Sequence, residues 1–460
     1  MKRIALVLGL ITLLNVSAQA GGGNIQIKLR LQEEKQQVDG FGVSQAGWAA
    51  ELFQHQKRTE IMELLYGNDG LRLSILRGEV FPQSPADTIN DWAKRAGQLW
   101  ISRYARQQCG VDKLIFSAWS PPAYMKSNGK ASQGFLKPEY YQAYADYLVA
   151  FCQSYQEAGL KVYALSPSNE PGYEAPWNSC RWSSDEMGRF LTGYLTPAFK
   201  KQCPDIKIIY GENPTWSTPQ NVMLQSIASE KFVNEILDKY PEVSGDAYIA
   251  SGHGYDIPLS QYFKDAQDIA TPVIPYYKAM ERGQRVWVTE ISSVDPLDTT
   301  MANGLKWAKS FHDYLTNADV NAYIWWGGAI PADNNESLIV LDRNGKDYRL
   351  TKRYETFGNY TRYIPVGSRR IVTHTEGLPE DVLVSAFRKD NHYCAVLINP
   401  TDKKVVCKFS PDRHRATGTL KIVTTTSQKK WYETGIALKS GSYTVEIEPQ
   451  SVTTLVGELN

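Results

Sequence analysis

Lys161-Val-Tyr-Ala-Leu-Ser-Pro-Ser-Asn-Glu170-Pro-Gly172 is the stretch that decides the fold. An apolar-rich run turns polar at its end and is stopped by Pro171 and Gly172, as in a short buried strand delivering Asn169 and Glu170 to its C-terminal tip. A (β/α)8 TIM barrel presents chemistry in this way, at the open face where its strands end. Arg285-Val-Trp-Val-Thr-Glu290-Ile-Ser-Ser293 repeats the pattern, a β-rich run closing on a carboxylate and small polar residues. Two carboxylates at two strand tips suit glycoside hydrolysis: one protonates the leaving oxygen, the other attacks the sugar or activates water. Either stretch alone is unspecific, since a strand-end Glu is also a common helix cap; the pair carries the reading.

Working outward, further strands are expected at 40–44, 71–77 (closing on Arg77 and Glu79), 114–118, 207–211, 247–255 and 321–326. Helical segments at 56–65, 138–158, 275–282 and 301–317 fall between strands, the alternation of a parallel barrel. The two carboxylates then sit on the fourth and seventh of eight strands. After about Tyr363 the pattern changes to short alternating runs at 382–387, 393–398, 404–409, 420–425, 443–447 and 452–456, which predict an antiparallel β-sandwich. An isolated strand at 24–37, alternating Ile25, Ile27, Leu29 and Leu31 with polar residues, needs a partner, and the sandwich supplies it. The expected organisation is thus an export signal at 1–20, a sandwich strand within 21–37, a barrel over 38–363 and the rest of the side domain over 364–460. No low-complexity linker separates the two bodies, so they are expected to pack rigidly.

The signal is read from Met1-Lys-Arg, a mostly apolar core at 4–16 and the small-residue site Ala18-Gln-Ala20. That core is too short to span a bilayer, and no later run reaches the length a span requires. A secreted or periplasmic monomer beginning near Gly21 is expected. With 50 basic and 49 acidic residues the net charge is +1, which gives no general attraction to nucleic acid or anionic membranes and favours a neutral partner such as a polysaccharide or oligosaccharide. Six His without paired spacing and six widely spaced Cys match no metal pattern, so neither metal nor cofactor is expected. Cys394 and Cys407 lie on two strands that a turn near Pro400-Thr-Asp402 would pair, which leaves a disulfide and two free thiols both open.

Taken together, Gly40-Phe-Gly42, Arg77, Trp119-Ser-Pro-Pro-Ala-Tyr-Met-Lys-Ser-Asn-Gly129, Ser168-Asn-Glu-Pro171, Gly254-Tyr255, Thr289-Glu290, Trp325-Trp326 and Pro449-Gln-Ser-Val-Thr-Thr-Leu455 resemble glycoside hydrolase family 30 over essentially the whole chain after the signal. The resemblance implies a retaining double displacement with Glu170 as acid/base and Glu290 as nucleophile. It also implies Asn169 as the ligand of the sugar 2-hydroxyl, Arg77 beside Glu290, Tyr255 donating to the nucleophile and His253 lining the same wall. Trp119 and Trp326, at the ends of strands three and eight, are expected to form an aromatic floor; Trp325, one residue away, points the opposite way into packing. Tyr173, Trp177 and Trp182 follow the acid/base in an aromatic loop, read either as a leaving-group platform or as loop packing.

Gly42-Val-Ser44, Ser74-Ile-Leu-Arg77 and Trp325-Trp326 are most similar to the xylan-cleaving branches, so β-1,4-xylan is the expected substrate. Some branches bind glucuronic acid through an arginine, either after the strand-eight tryptophans or in the loop after strand one. Here those places read Gly327-Gly-Ala-Ile-Pro331 and Ala49-Ala-Glu51, without arginine. The competing activities are β-1,6-glucanase, β-1,6-galactanase and glucosylceramidase. A catalytically retired carbohydrate-binding barrel is the rival of another class, and the presence of both carboxylates, Asn169 and Arg77 weighs against it.

Overall fold

The computed structural model describes residues 25–82, 92–219, 225–257, 268–411 and 416–460, so the expected export signal lies outside the described residues. A strand β1 (Gln26–Gln37) leads into β2 (Gly40–Ser44), β3 (Ile75–Val80), β4 (Lys113–Ala118), β5 (Val162–Ser166), β6 (Lys207–Tyr210), β7 (Tyr248–His253), β8 (Arg285–Glu290) and β9 (Ala322–Ile330). Strands β2 to β9 pair in parallel in that order, and β9 bonds to both β8 and β2, which closes an eight-stranded barrel. Ile75, Ile115, Ile209, Ile249, Trp287 and Ile324 fill its interior below the open face. Trp287 stacks on Tyr163 at 5.9 Å, and its indole N–H donates to Asp39 at 2.9 Å, so even the barrel floor leaves its one polar hydrogen satisfied.

Helices cover the outside because their apolar residues recur at three- and four-residue spacing. Met301–Thr316 buries Leu305, Ala308, Phe311 and Leu315, and Tyr141–Glu157 buries Tyr144, Ala145, Leu148 and Cys152. The second barrel strand begins at Ile75 rather than at 71, because Arg72 takes a φ of 56° that interrupts extended backbone. Arg77 therefore lies inside its strand. The helix expected at 275–282 is confined to Tyr277–Glu281. An unexpected pair, β10 (Ser337–Leu341) and β11 (Tyr348–Leu350), extends the barrel sheet from the edge of β9.

The remaining strands are β12 (Arg369–Glu376), β13 (Leu383–Lys389), β14 (His392–Asn399), β15 (Val405–Ser410), β16 (Ala416–Thr425), β17 (Tyr432–Ala437), β18 (Tyr443–Ile447) and β19 (Ser451–Leu459). With β1 they form a nine-stranded sheet ordered β17-β16-β19-β14-β13-β12-β1-β15-β18. Every pairing is antiparallel except β1 with β15, so the expected sandwich is mostly rather than wholly antiparallel. The sheet doubles over until β17 meets β18, around a core that includes Ile27, Leu397, Phe409 and Leu455.

Strand alternation lets β14 serve two cores. Tyr393, Ala395 and Leu397 face the inside of the folded sheet, while Cys394, Val396 and Ile398 join the barrel's core with Phe311, Phe357 and Tyr360. The buried amide of Asn359, on the helix Lys352–Thr361, crosses the same seam. It donates to the carbonyls of Val423 and Val452 at 3.3 Å and to Thr454 Oγ1 at 3.2 Å, and its backbone carbonyl accepts from the Thr454 hydroxyl at 2.7 Å. The disulfide alternative fails: all six cysteines are free, and β14 and β15 are separated in the sheet by β13, β12 and β1. The Pro400-Thr-Asp402 turn carries the chain to the other side of the sheet instead of closing a hairpin. Among the described residues no helix is long and apolar enough to cross a membrane.

Candidate active site

At the C-terminal ends of β5 and β8, Glu170 and Glu290 converge. One oxygen of each and a ring nitrogen of His253 all lie within 4.8 Å of one another. The side chains are 11% and 7% exposed, enough for contact with a ligand in the barrel mouth and little enough to keep bulk water away. Glu170 is held at a φ of 49°, in the left-handed region a side chain adopts only at a cost. Its N–H donates to the carbonyl of Glu212 at 2.9 Å, and Asn169 N–H donates to the carbonyl of Ala118 at 2.7 Å, so neighbouring strand ends fix the turn. Gly172 follows because a Cβ there would meet the Ser226 carbonyl at 2.2 Å.

Arg77, wholly buried, is the hub. Its Nη1 donates to Glu290 Oε2 at 2.5 Å, its Nη2 to Asn169 Oδ1 at 2.7 Å and Glu212 Oε1 at 3.2 Å, and its Nε to Ser117 Oγ at 3.2 Å. Tyr255 OH donates to the other oxygen of Glu290 at 2.7 Å; burial, reinforced by Glu290, pushes its phenol well up, so it stays a donor. His253 Nδ1 stands 3.2 Å from Glu170 Oε1 and 3.7 Å from Glu290 Oε1, and its Nε2 is 4.0 Å from Glu212 Oε1, beyond hydrogen-bond reach but close enough for charge to be felt.

Burial alone would depress the His253 imidazolium; Glu290, Glu170 and Glu212 outweigh it and hold the ring's pKa at about 9. Burial raises Glu170 above the ordinary carboxylate range, Glu290 adding to the rise and His253 opposing it. Burial would also raise Glu212, but Arg77 and His253 reverse that and bring it to about 2. Glu170 and Glu212 thus have opposite proton preferences within one neighbourhood, the first tending to keep a proton and the second to stay ionised. Glu170, His253 and Glu290 have the donor types for a divalent cation. Arg77 and Tyr255 already occupy both oxygens of Glu290, however, so the set is arranged for protons and fixed charge.

The sequence profile of O-glycosyl hydrolase family 30 matches residues 68–340, more than half of the chain. The chain belongs to that family. It is a glycoside hydrolase of family 30, similar over most of its length to proteins of known structure. Glucuronoxylanase XynC of Bacillus subtilis (strain 168) is 24% identical over 469 residues, covering 99% of this chain and 98% of that protein. The lysosomal acid glucosylceramidase of Mus musculus is 21% identical, over 86% of this chain and 82% of that one. The glycoside hydrolase family 30 subfamily 8 xylanase Xyn30A of Clostridium acetobutylicum superposes with a TM-score of 0.72 at 25% identity, covering 94% and 99% of the two chains.

In this family 30 chain the remaining candidates divide into floor, rim and core. Trp119 and Trp326 are neighbours, ring centroids 5.9 Å apart, with the Arg77 guanidinium 4.9 Å from the Trp119 ring. Trp325 is buried edge-on to Trp307 at 4.6 Å and donates to the Glu336 carbonyl at 2.7 Å. Tyr173 and Trp177 pair with each other at 6.2 Å on the rim, Trp177 being 54% exposed. Trp182 packs among Tyr141, Tyr144 and Phe190 and is core, not platform. His253 is fully buried, so it meets carboxylates rather than a sugar. Sequence reasoning missed Glu212, which has no exposure at all. The signal was present: Gly211-Glu-Asn-Pro214 ends a strand with a carboxylate, an amide and a proline, as Asn169-Glu-Pro171 does.

Proposed function

We propose that this chain is an exported, retaining β-glycosidase that cleaves β-1,4-xylan, with Glu170 as acid/base and Glu290 as nucleophile. The observation that carries the reading is that an oxygen of each carboxyl lies within 4.8 Å of the other, a close spacing that suits direct attack better than the wider gap a water-activating pair requires. Glu290, aimed by Arg77 and Tyr255, attacks the anomeric carbon while Glu170 gives its proton to the departing oxygen. A glycosyl ester of Glu290 forms. Water then enters, Glu170 takes its proton, and attack on the same carbon releases the sugar with its starting configuration.

Arg77 fixes the amide oxygen of Asn169, which turns the amide N–H2 toward the sugar 2-hydroxyl. Trp119 and Trp326 supply a floor for the sugar at the cleavage point, and Tyr173 with Trp177 a surface on the leaving-group side. Xylan is favoured by the glucuronoxylanase and xylanase relatives and by the Gly42-Val-Ser44 and Trp325-Trp326 motifs. Obligate recognition of a glucuronate branch is not expected. Gly327 and Gly328 are within β9, and Arg343, the nearest arginine after it, is on the surface paired with Asp333 at 2.5 Å.

Product analysis on unbranched xylan, glucuronoxylan and β-1,6-glucan tests the substrate. Xylose oligomers should appear from both xylans, at rates that differ little with branching. Release of none from either, with products from β-1,6-glucan, would overturn the xylan assignment in favour of a β-1,6-glucanase. N-terminal sequencing of the exported protein should start at Gly21.

A further inference from the structure

The geometry points to Glu212 as a positioning residue whose fixed negative charge sets the proton count of the site and leaves the exchangeable proton on Glu170. The inference rests on the acid/base role proposed for Glu170. Glu212 cannot touch substrate, because its side chain has no exposure. Every group around it belongs to the machinery. Arg77 of β3 and Ser117 of β4 each donate to its Oε1 at 3.2 Å, Ser166 of β5 lies against it, and His253 of β7 is 4.0 Å away. Through Arg77 it is joined to Glu290 at the end of β8, to which Tyr255 also donates, and its backbone carbonyl holds the Glu170 N–H. A φ of 43° holds Glu212 in a backbone conformation that side chains rarely adopt, the same departure seen at Glu170.

The charge count gives the reason. Two cations, Arg77 and His253, face three carboxyls within their reach, Glu170, Glu212 and Glu290; a fourth, Glu336 beside Trp326, feels only Glu290 of these groups and is itself raised by burial. The site is neutral when one carboxyl keeps a proton, and a site this dry favours neutrality. Among the described residues Glu212 has Arg77, Ser117 and Ser166, Glu290 has Arg77 and Tyr255, and Glu170 has His253 alone for hydrogen-bonding side chains. The proton therefore stays on Glu170, where the first chemical step consumes it. With Glu212 neutralised, two cations face two carboxyls and balance is reached with Glu170 ionised, so the acid is lost at working pH.

The test is Glu212→Gln in the full chain. Removing an anion lowers the pKa of every neighbouring group, so the basic limb of the kcat/KM profile should move to lower pH by about one unit or more. kcat should fall more on xylan than on an aryl glycoside whose leaving group needs no proton. The His253 ring, followed by NMR after 13C-histidine labelling and assigned through His253→Asn, should titrate lower than in the wild type. Glu212→Asp, which keeps the charge, should restore the limb. A Glu212→Gln enzyme that is slower but has an unmoved limb and an unmoved His253 titration would reduce Glu212 to a structural part. Should that variant not fold, the wild-type titration decides: a His253 that loses its proton below pH 7 overturns the inference. The NMR arm uses no substrate, so absence of xylan turnover would sink the substrate assignment without touching this one.

Discussion

Replacing Arg77 with methionine keeps an apolar stem and deletes one cation and four hydrogen bonds, to Glu290, Asn169, Glu212 and Ser117. Glu212 then has no exposure, no cation in hydrogen-bond reach, and hydroxyls from Ser117 and Ser166 in place of a guanidinium. Removing one partner of a buried ion pair costs about 3–5 kcal/mol, because the remaining charge is left in a poor solvent. For a chain of this size that is roughly 3–5 °C in Tm. The cost should depend on pH in a definite direction. Glu212 is depressed to about 2 in the folded protein, so its contribution is present above the unfolded carboxyl value of about 4.3 and is lost as pH falls through the folded value. Between pH 7 and pH 3 the penalty of Arg77→Met should therefore shrink by roughly 2 kcal/mol. Urea unfolding of both proteins at the two pH values, followed by tryptophan fluorescence, measures it. A penalty below about 1 kcal/mol at pH 7, or one that does not change with pH, refutes the charge network as the source of the site's rigidity.

Other outcomes are expected. Glu170→Ala should lower xylan turnover by about 10²–10⁴ and spare the first step on aryl glycosides with good leaving groups, with azide restoring release of product; initial rates with and without azide check this. Asn359→Ala leaves a buried carbonyl pair and a hydroxyl without their shared donor, and should cost about 2 kcal/mol in thermal melts while kcat stays as it was. His312, 8% exposed, is pushed down to about 4 by burial, so the stability tied to its neutral ring is present above about 6.5 and lost as pH falls toward 4. His312→Gln should flatten that part of the Tm profile, worth up to roughly 3 kcal/mol.

What the sequence made legible was whatever had a strong local pattern. Strands β5 and β8 stood out because an apolar run met a carboxylate and then a breaker, and the barrel's order followed from strands alternating with amphipathic helices. Strand β17, with residues mostly exposed, offered no alternation to read, and the start of β3 was hidden by the positive φ of Arg72. Cys394 and Cys407 misled because adjacency in sequence was taken for adjacency in the sheet. Glu212 escaped because the strand was read to its last apolar residue and no further. Its importance is visible only when Arg77, 135 positions earlier in the chain, comes to lie beside it.

Beyond His392, both faces of β14 are buried. Cutting the chain near residue 363 would strip Phe311, Phe357 and Tyr360 of their cover on one fragment and leave Cys394, Val396 and Ile398 bare on the other. The sheet is consequently no detachable accessory, of the sort one enzyme can lend another. Barrel and sheet should melt in a single cooperative transition, and a shortened catalytic fragment should aggregate rather than work.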